Sequence, residues 1–196
     1  MATFTPFLIY VLVTTFTPGP NNILSMANAA RDGYKRTFRF LVGIFIGFSL
    51  VLGLCGLLNV VLVSLLPQVR IWLVYLGAAY MVYLALHIAL SKPRQDDQSR
   101  ADLNTFWAGF TLQFVNLKGI LYGVTVFSVF ISRLAPNTWL VTLFAPALAG
   151  VAFLATSSWA LVGDVFRHFL NRYERWFNLA MAALLIYTAI ASLVSH

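Results

Sequence analysis

The chain is a succession of long apolar runs separated by short polar stretches. Charge-free segments cover Met1–Ala30, Phe40–Val69, Ile71–Ser91, Leu134–Gly163 and Trp176–His196, and Leu103–Ser132 is interrupted by Lys118 alone. Each run supplies the ~20 residues that a helix needs to cross about 30 Å of hydrocarbon. The pattern predicts an all-α integral membrane protein with six transmembrane helices. Strands of a membrane barrel would be about ten residues long and alternate in polarity, and these runs do neither.

Composition agrees with that solvent. Of the 196 residues 60% are hydrophobic and 10% charged, against about 45–50% and about 25% in an ordinary soluble domain. "ANAA" at Ala27–Ala30 imitates a signal-peptide cleavage site, but no Lys or Arg precedes the apolar part. The first helix is therefore expected to remain in the mature chain. Cys55, the single cysteine, can form no internal disulfide.

Charge sets an expected orientation. Ten basic residues fall in alternate connections: Arg31, Lys35, Arg36 and Arg39, then Lys92, Arg94 and Arg100, then Arg167, Arg172 and Arg175. The other connections hold only Arg70 and Arg133. By the positive-inside rule the ten face the cytoplasm and both termini lie outside, which is the periplasm for a bacterial inner membrane. The net charge of +7 is then spread over three short loops facing anionic lipid. The bilayer is the expected partner, and no nucleic acid is needed to account for the charge.

Run lengths repeat. They are 30, 30 and 21 residues and then 30, 30 and 21 again, so a shift of about 97 positions lays helix one on four, two on five and three on six. The expected arrangement is one transmembrane domain, 1–196, made of two inverted three-helix repeats: about 1–91 and 103–196, joined by a cytoplasmic loop at 92–102. With an odd number of spans per half, the second half enters from the opposite side, as in many secondary transporters.

The shift superposes "PNNIL" (Pro20–Leu24) on "LKGIL" (Leu117–Leu121), so polar interruptions fall at equivalent places. Corresponding interrupted helices point to a transport site. In "FTPGPNNIL" (Phe16–Leu24), Pro18 and Pro20 cannot donate to the carbonyls of Thr14 and Phe16, and Gly19 tolerates a break between them. Pro20 suits the first position of a new helix. That leaves the amides of Asn21, Asn22 and Ile23 without intrahelical partners at the positive end of a half-helix, where a carboxylate would be attracted. The freed carbonyls near Thr14, with the hydroxyls of Thr15 and Thr17, would attract an ammonium group. A packing kink is the alternative use of such prolines.

In "LQFVNLKGILYG" (Leu112–Gly123), Lys118 is the one charge near the middle of any span. It costs about 2.5–3.5 kcal/mol to insert unless compensated. It could bind a substrate carboxylate, carry a proton or snorkel to an interface. Gln113, Asn116 and, at i+4, Tyr122 lie close along the same helix, as substrate contacts or as interhelical glue. Asp32 and Asp164 stand at span ends with a solvated or loop-pairing role expected, and His87 is expected to be interfacial. Trp159 faces cavity or lipid. The Gly43–Gly47 pair allows close packing inside the bundle or in a homodimer. There is no Walker-type glycine loop, His-Glu-x-x-His pair or nucleophile elbow. No catalytic residue, metal or cofactor is therefore expected.

"TPGPNN" (Thr17–Asn22), "GYKRTFRFLVGIFIGF" (Gly33–Phe48) and "LQFVNLKGILYGV" (Leu112–Val124) resemble the LysE/RhtB amino-acid exporters, and most closely their cysteine and O-acetylserine branch. The likeness covers essentially the whole chain. Many members carry Asn-Pro-Lys in the helix-four motif, where this chain has Leu117, so the residues leave open whether helix four is broken. The resemblance implies export of a small amino acid from the cytoplasm, in exchange for protons. The expected substrate-binding set is Thr14, Pro18, Gly19, Pro20, Asn21, Asn22, Gln113, Asn116, Lys118 and Tyr122, with Lys118 the candidate for proton coupling. A passive channel or a membrane-embedded enzyme are the alternative readings. Single cysteines at Gln98 and at Asn137, in a Cys55→Ser background, are expected to react with an impermeant thiol reagent from the cytoplasmic and from the outer side respectively. Labelling of both from one side would remove the inverted six-helix arrangement.

Overall fold

The computed structural model describes residues 4–90, 103–131, 138–167, 169 and 173–194. The chain is all-α. Its first polar interruption ends helix α1 (Phe4–Phe16) and starts α2 (Pro20–Asp32). Gly33, at φ +86°, then turns the chain into α3 (Tyr34–Leu57). A positive φ disfavours any residue with a Cβ. Leu58 alone separates α3 from α4 (Asn59–Ala89).

The second half opens with α5 (Phe106–Val115), continues as α6 (Leu117–Thr125) after a break at Asn116, and ends in a π-helical turn, Val126–Ile131. Two long helices follow, α7 (Thr138–Val165) and α8 (Glu174–Val194). Tyr34–Leu57 and Leu143–Val165 are each long and apolar enough to cross a membrane, and α5 with α6 and its π turn makes a third such span, bent by 61°. Phe4–Phe16, Val74–Ala89 and Arg175–Ala191 are shorter apolar helices. The loop 92–102 and the basic residues Lys92, Arg94, Arg100, Arg133 and Arg172 lie outside the described residues.

Helix α3 is the axle, packed on α5 and α7, while α2 lies on α7 and α4 on α8. Close approach of α3 to α5 depends on three glycines. A Cβ at Gly43 would strike the Phe106 carbonyl, one at Gly109 the Phe40 carbonyl, and one at Gly47 would come within 2.7 Å of the Phe110 oxygen. The Gly43–Gly47 pair is thus spent inside the bundle. Large apolar side chains cover the outside of α1, α4, α7 and α8, among them Ile9, Tyr75, Leu154 and Tyr187. Such a surface suits lipid, not water.

Two large apolar cores divide the bundle along the length of α3, and a small third cluster joins Ala78 and Met81 to Ala189. One gathers Val11, Phe48, Leu52, Tyr122, Phe127 and Ala149; the other gathers Leu24, Phe40, Ile44, Leu84, Leu112 and Leu185. Helix α3 runs through both, with Ile44 in one and Phe48 in the other, so the boundary falls near the middle of its 24 residues. Both helix breaks lie at that boundary.

Asp32, at the end of α2, takes the loop-pairing role: it is bound by the Arg31 guanidinium at 2.9 Å and the Asn104 amide at 2.8 Å. Burial works against its charge, but those two partners hold its carboxyl below the usual carboxylate range, so it is ionised at neutral pH.

Gly109→Ala is expected to lower the thermal unfolding midpoint in detergent, because a backbone carbonyl cannot move aside as a side chain can. Overpacking of this kind costs about 1–3 kcal/mol. Gly150→Ala, where a Cβ would meet nothing within 4 Å, is the matched control and should leave the midpoint unchanged or slightly raised.

Candidate functional site

The break in the first span begins where α1 runs out of donors. Thr17 N–H still bonds to Val13 at 3.1 Å, but Pro18 has no N–H, Gly19 is extended at φ −174° and ψ 173°, and Pro20 opens α2. The carbonyls so released are met by side chains. Thr17 Oγ1 donates to Thr14 O at 3.0 Å. Asn22 Nδ2 donates to Thr15 O at 2.8 Å and to Thr17 O at 2.9 Å. Trp159 Nε1 donates to Phe16 O at 3.2 Å, which places this tryptophan against the break. Lys118 Nζ donates to Thr17 O at 2.9 Å, Thr17 Oγ1 at 3.0 Å and Pro18 O at 3.2 Å. The Thr15 hydroxyl turns back to Val11 O at 2.7 Å.

Helix four breaks without a proline. Asn116 leaves helical dihedrals, at φ −80° and ψ 88°, and its side-chain oxygen accepts from Gly119 N–H at 3.3 Å, capping α6. Asparagine is among the best residues for that role, because a short side chain can replace the missing backbone acceptor. The Asn116 amide also donates to Asn21 Oδ1 at 3.1 Å. Fully buried Gln113 pairs with Asn21 in both directions, at 2.9 and 3.1 Å, and donates to Gly109 O at 2.9 Å. Side-chain amides thereby tie the two breaks together, although Asn21 and Gln113 are 92 residues apart.

Two cavities adjoin this junction, of about 40 Å³ and about 500 Å³. Gly19, Pro20, Asn116 and Lys118 line both. The smaller is also lined by Thr14, Asn22, Phe48, Tyr122 and Thr156; the larger lies between Gly77, Tyr80, Met81, Leu121, Thr188 and Ala191. Lys118 is the one charged residue among the lining side chains.

The starts of α2 and α6 both border the smaller cavity. Among the described residues no acceptor meets the backbone N–H groups of Asn21 and Asn22, whereas that of Ile23, expected free as well, bonds to Gly19 O at 2.9 Å because the extended Gly19 still closes the first turn of α2. The Tyr122 hydroxyl, on a ring stacked 5.9 Å from Tyr10, is buried and unpartnered among the described residues. Donors without acceptors beside the positive end of a half-helix make a place for an anion.

Of the residues expected from sequence, Thr14, Gly19, Pro20, Asn21, Asn22, Asn116, Lys118 and Tyr122 line the cavities. Pro18 lends its carbonyl to Lys118, and Gln113 stands behind Asn21. Phe48, Thr156 and the hydrogen-bonding role of Trp159 were not legible beforehand. Trp159 and Thr156 carry the only signal, as polar heads in an apolar run.

Comparison with known proteins decides the family. The LysE type translocator family matches residues 12–196. This chain belongs to that family. Curated relatives include the cysteine/O-acetylserine efflux protein of Klebsiella pneumoniae subsp. pneumoniae, 39% identical over 189 residues, covering 96% of this chain and 95% of the relative. The proteins of that name from Escherichia coli and Shigella flexneri are each 40% identical over 185 residues, covering 94% of both chains. No solved structure matches. As a LysE type translocator the chain is a membrane transporter and not an enzyme, and its site has to bind and release a solute without transforming it.

Asn22 is the most exacting position at this junction, since one buried side-chain amide serves two released carbonyls. Asn22→Ala is expected to lower stability in detergent by about 1–3 kcal/mol for an unsatisfied buried acceptor. Asn22→Asp, which keeps the shape but donates nothing when ionised, should be at least as damaging. Unfolding midpoints of the two variants check this; because Lys118 Nζ also donates to Thr17 O, a wild-type midpoint for Asn22→Ala shows that another group, or water, reaches Thr15 O.

Proposed function

We propose that this chain is a secondary active exporter of small neutral amino acids, cysteine, O-acetylserine or close relatives, working from the cytoplasm by alternating access in exchange for protons. The observation that carries the reading is the meeting of two broken helices at the boundary of the two large cores, with the amide ends of α2 and α6 on one cavity and Lys118 across the end of α1. The carboxylate of a substrate would lie against the Asn21 and Asn22 amides and the Tyr122 hydroxyl, and its ammonium against the carbonyl end of α1. The relatives' printed names, cysteine/O-acetylserine efflux protein, supply the substrate class.

The six-helix inverted arrangement is part of this proposal. Broken α1/α2 would correspond to broken α5/α6, α3 to α7 and α4 to α8. Exchanging the halves maps the α3–α7 and α4–α8 pairings onto themselves and the α3–α5 pairing onto α1–α7, and all four pairings occur. Both termini would then face the periplasm of the inner membrane. Lys118 is the proton carrier in this scheme, because among the described residues no other charged side chain lines either cavity.

Vesicles loaded with labelled amino acids test the reading. Cysteine or O-acetylserine should leave in a saturable way that a pH gradient accelerates, whereas a channel would show neither property. Arginine keeps the charge but holds its proton at any accessible pH. Lys118→Arg is therefore expected to retain exchange between equilibrated compartments and to lose gradient-driven export. Lys118→Met should weaken substrate binding by about 1.5–3 kcal/mol, as for a charged hydrogen bond. Wild-type transport and pH dependence in both variants would remove Lys118 from the mechanism.

A further inference from the structure

We propose that Lys118 is a tethered stand-in for the substrate's ammonium group: in the substrate-free protein its Nζ fills a carbonyl cradle at the end of α1, and a zwitterionic amino acid enters by displacing it. The inference rests on the export reading above and deepens it by naming the event that makes room for the amine.

The cradle has the chemistry of an amine site. Lys118 Nζ meets three oxygens, Thr17 O, Thr17 Oγ1 and Pro18 O, at 2.9, 3.0 and 3.2 Å. A primary ammonium has three N–H donors and no acceptor, so the cradle satisfies it fully. The α-ammonium of an amino acid presents the same three donors. The position at the negative end of α1 favours either cation. No carboxylate takes part: among the described residues Lys118 Nζ meets only those three neutral oxygens, so the cradle holds it by dipoles alone.

That absence of a counter-ion selects what can replace Lys118. A simple amine entering the cradle would leave the half-buried lysine charge unpaired, with part of its hydration lost and nothing in return. A zwitterion brings its own remedy. Its ammonium takes the cradle and its carboxylate meets the released Nζ together with the amide ends of α2 and α6. Space for the exchange is present, since the Lys118 side chain lies between the smaller cavity and the one of about 500 Å³ and borders both. Its stem crosses Gly19, where a Cβ would stand 2.9 Å from Lys118 Cδ and 3.1 Å from Nζ. Glycine at this position gives the lysine stem room, and a Cβ would press the stem aside, whereas the extended backbone there would accept any residue.

Two variants and one probe test this with purified full-length protein. Cysteamine, which is cysteine without its carboxylate, carries the amine alone and is the probe; calorimetric titration in detergent under reducing conditions is the readout, with cysteine as control. Lys118→Met vacates the cradle. Gly19→Ala keeps the lysine but pushes its stem away. A ligand whose site is open in one molecule in ten binds tenfold more weakly than to the open site, so both variants should bind cysteamine about tenfold more tightly than wild type, or better. At the same time Lys118→Met should bind cysteine more weakly, having lost the carboxylate's partner. Unchanged cysteamine affinity in Lys118→Met overturns the proposal; if that variant does not fold, the same result in Gly19→Ala overturns it. Failure of the wild-type protein to bind cysteine, O-acetylserine or any small neutral amino acid would instead overturn the export reading, which the control reports separately.

Discussion

A backbone carbonyl released from a helix at the depth of the hydrocarbon has no water to accept from, and leaving it bare costs several kcal/mol. Pro18 and Pro20 release a series of them. The bundle meets that requirement with side chains from three other elements: Asn22 from α2, Lys118 from α6 and Trp159 from α7. The break therefore does more than admit a kink. It draws α2, α6 and α7 to one point, and the place where they converge is where the cavities open.

The two breaks are made differently, and the difference has physical consequences. In the first span the prolines forbid continuity, so no rearrangement of side chains can restore one straight helix. In the second, Asn116 and Leu117 keep their N–H groups, and the break stands on a side-chain cap and its bond to Asn21. One interruption is built into the covalent chain, the other into the tertiary contacts. The π turn that follows α6 adds a further irregularity to the same span, of the kind that often accompanies functional sites.

Lys118 shows how a charge can be carried in such a place without a carboxylate beside it. Oriented dipoles at a helix end balance it, each contact being weak enough to exchange. An ion pair would fix the lysine more firmly and would expose a buried acid whenever it let go. A transporter gains from the weaker arrangement, because binding must be reversible within each cycle.

Much of this was legible from residue order. Apolar runs of 21 to 30 residues required helices in lipid, because only a helix satisfies its own backbone there. The paired prolines announced the first break, since the loss of a donor is a covalent fact. The second break could not be read. Leu117 stands where a proline would have settled the matter, and Asn116 leaves the helix only because its side chain finds Gly119 and Asn21. Nor could the residues say what would meet the freed carbonyls. Sequence pointed to an incoming ammonium, and the fold supplies one from Lys118, 101 residues away from Thr17. Likewise Gly43 and Gly47 offered close packing without naming the partner, which proved to be α5 of the same chain. Local chemistry thus determined that the helices would break and what the broken ends would want; which groups answer depends on distances between elements far apart in the chain, and those exist only once the bundle has packed.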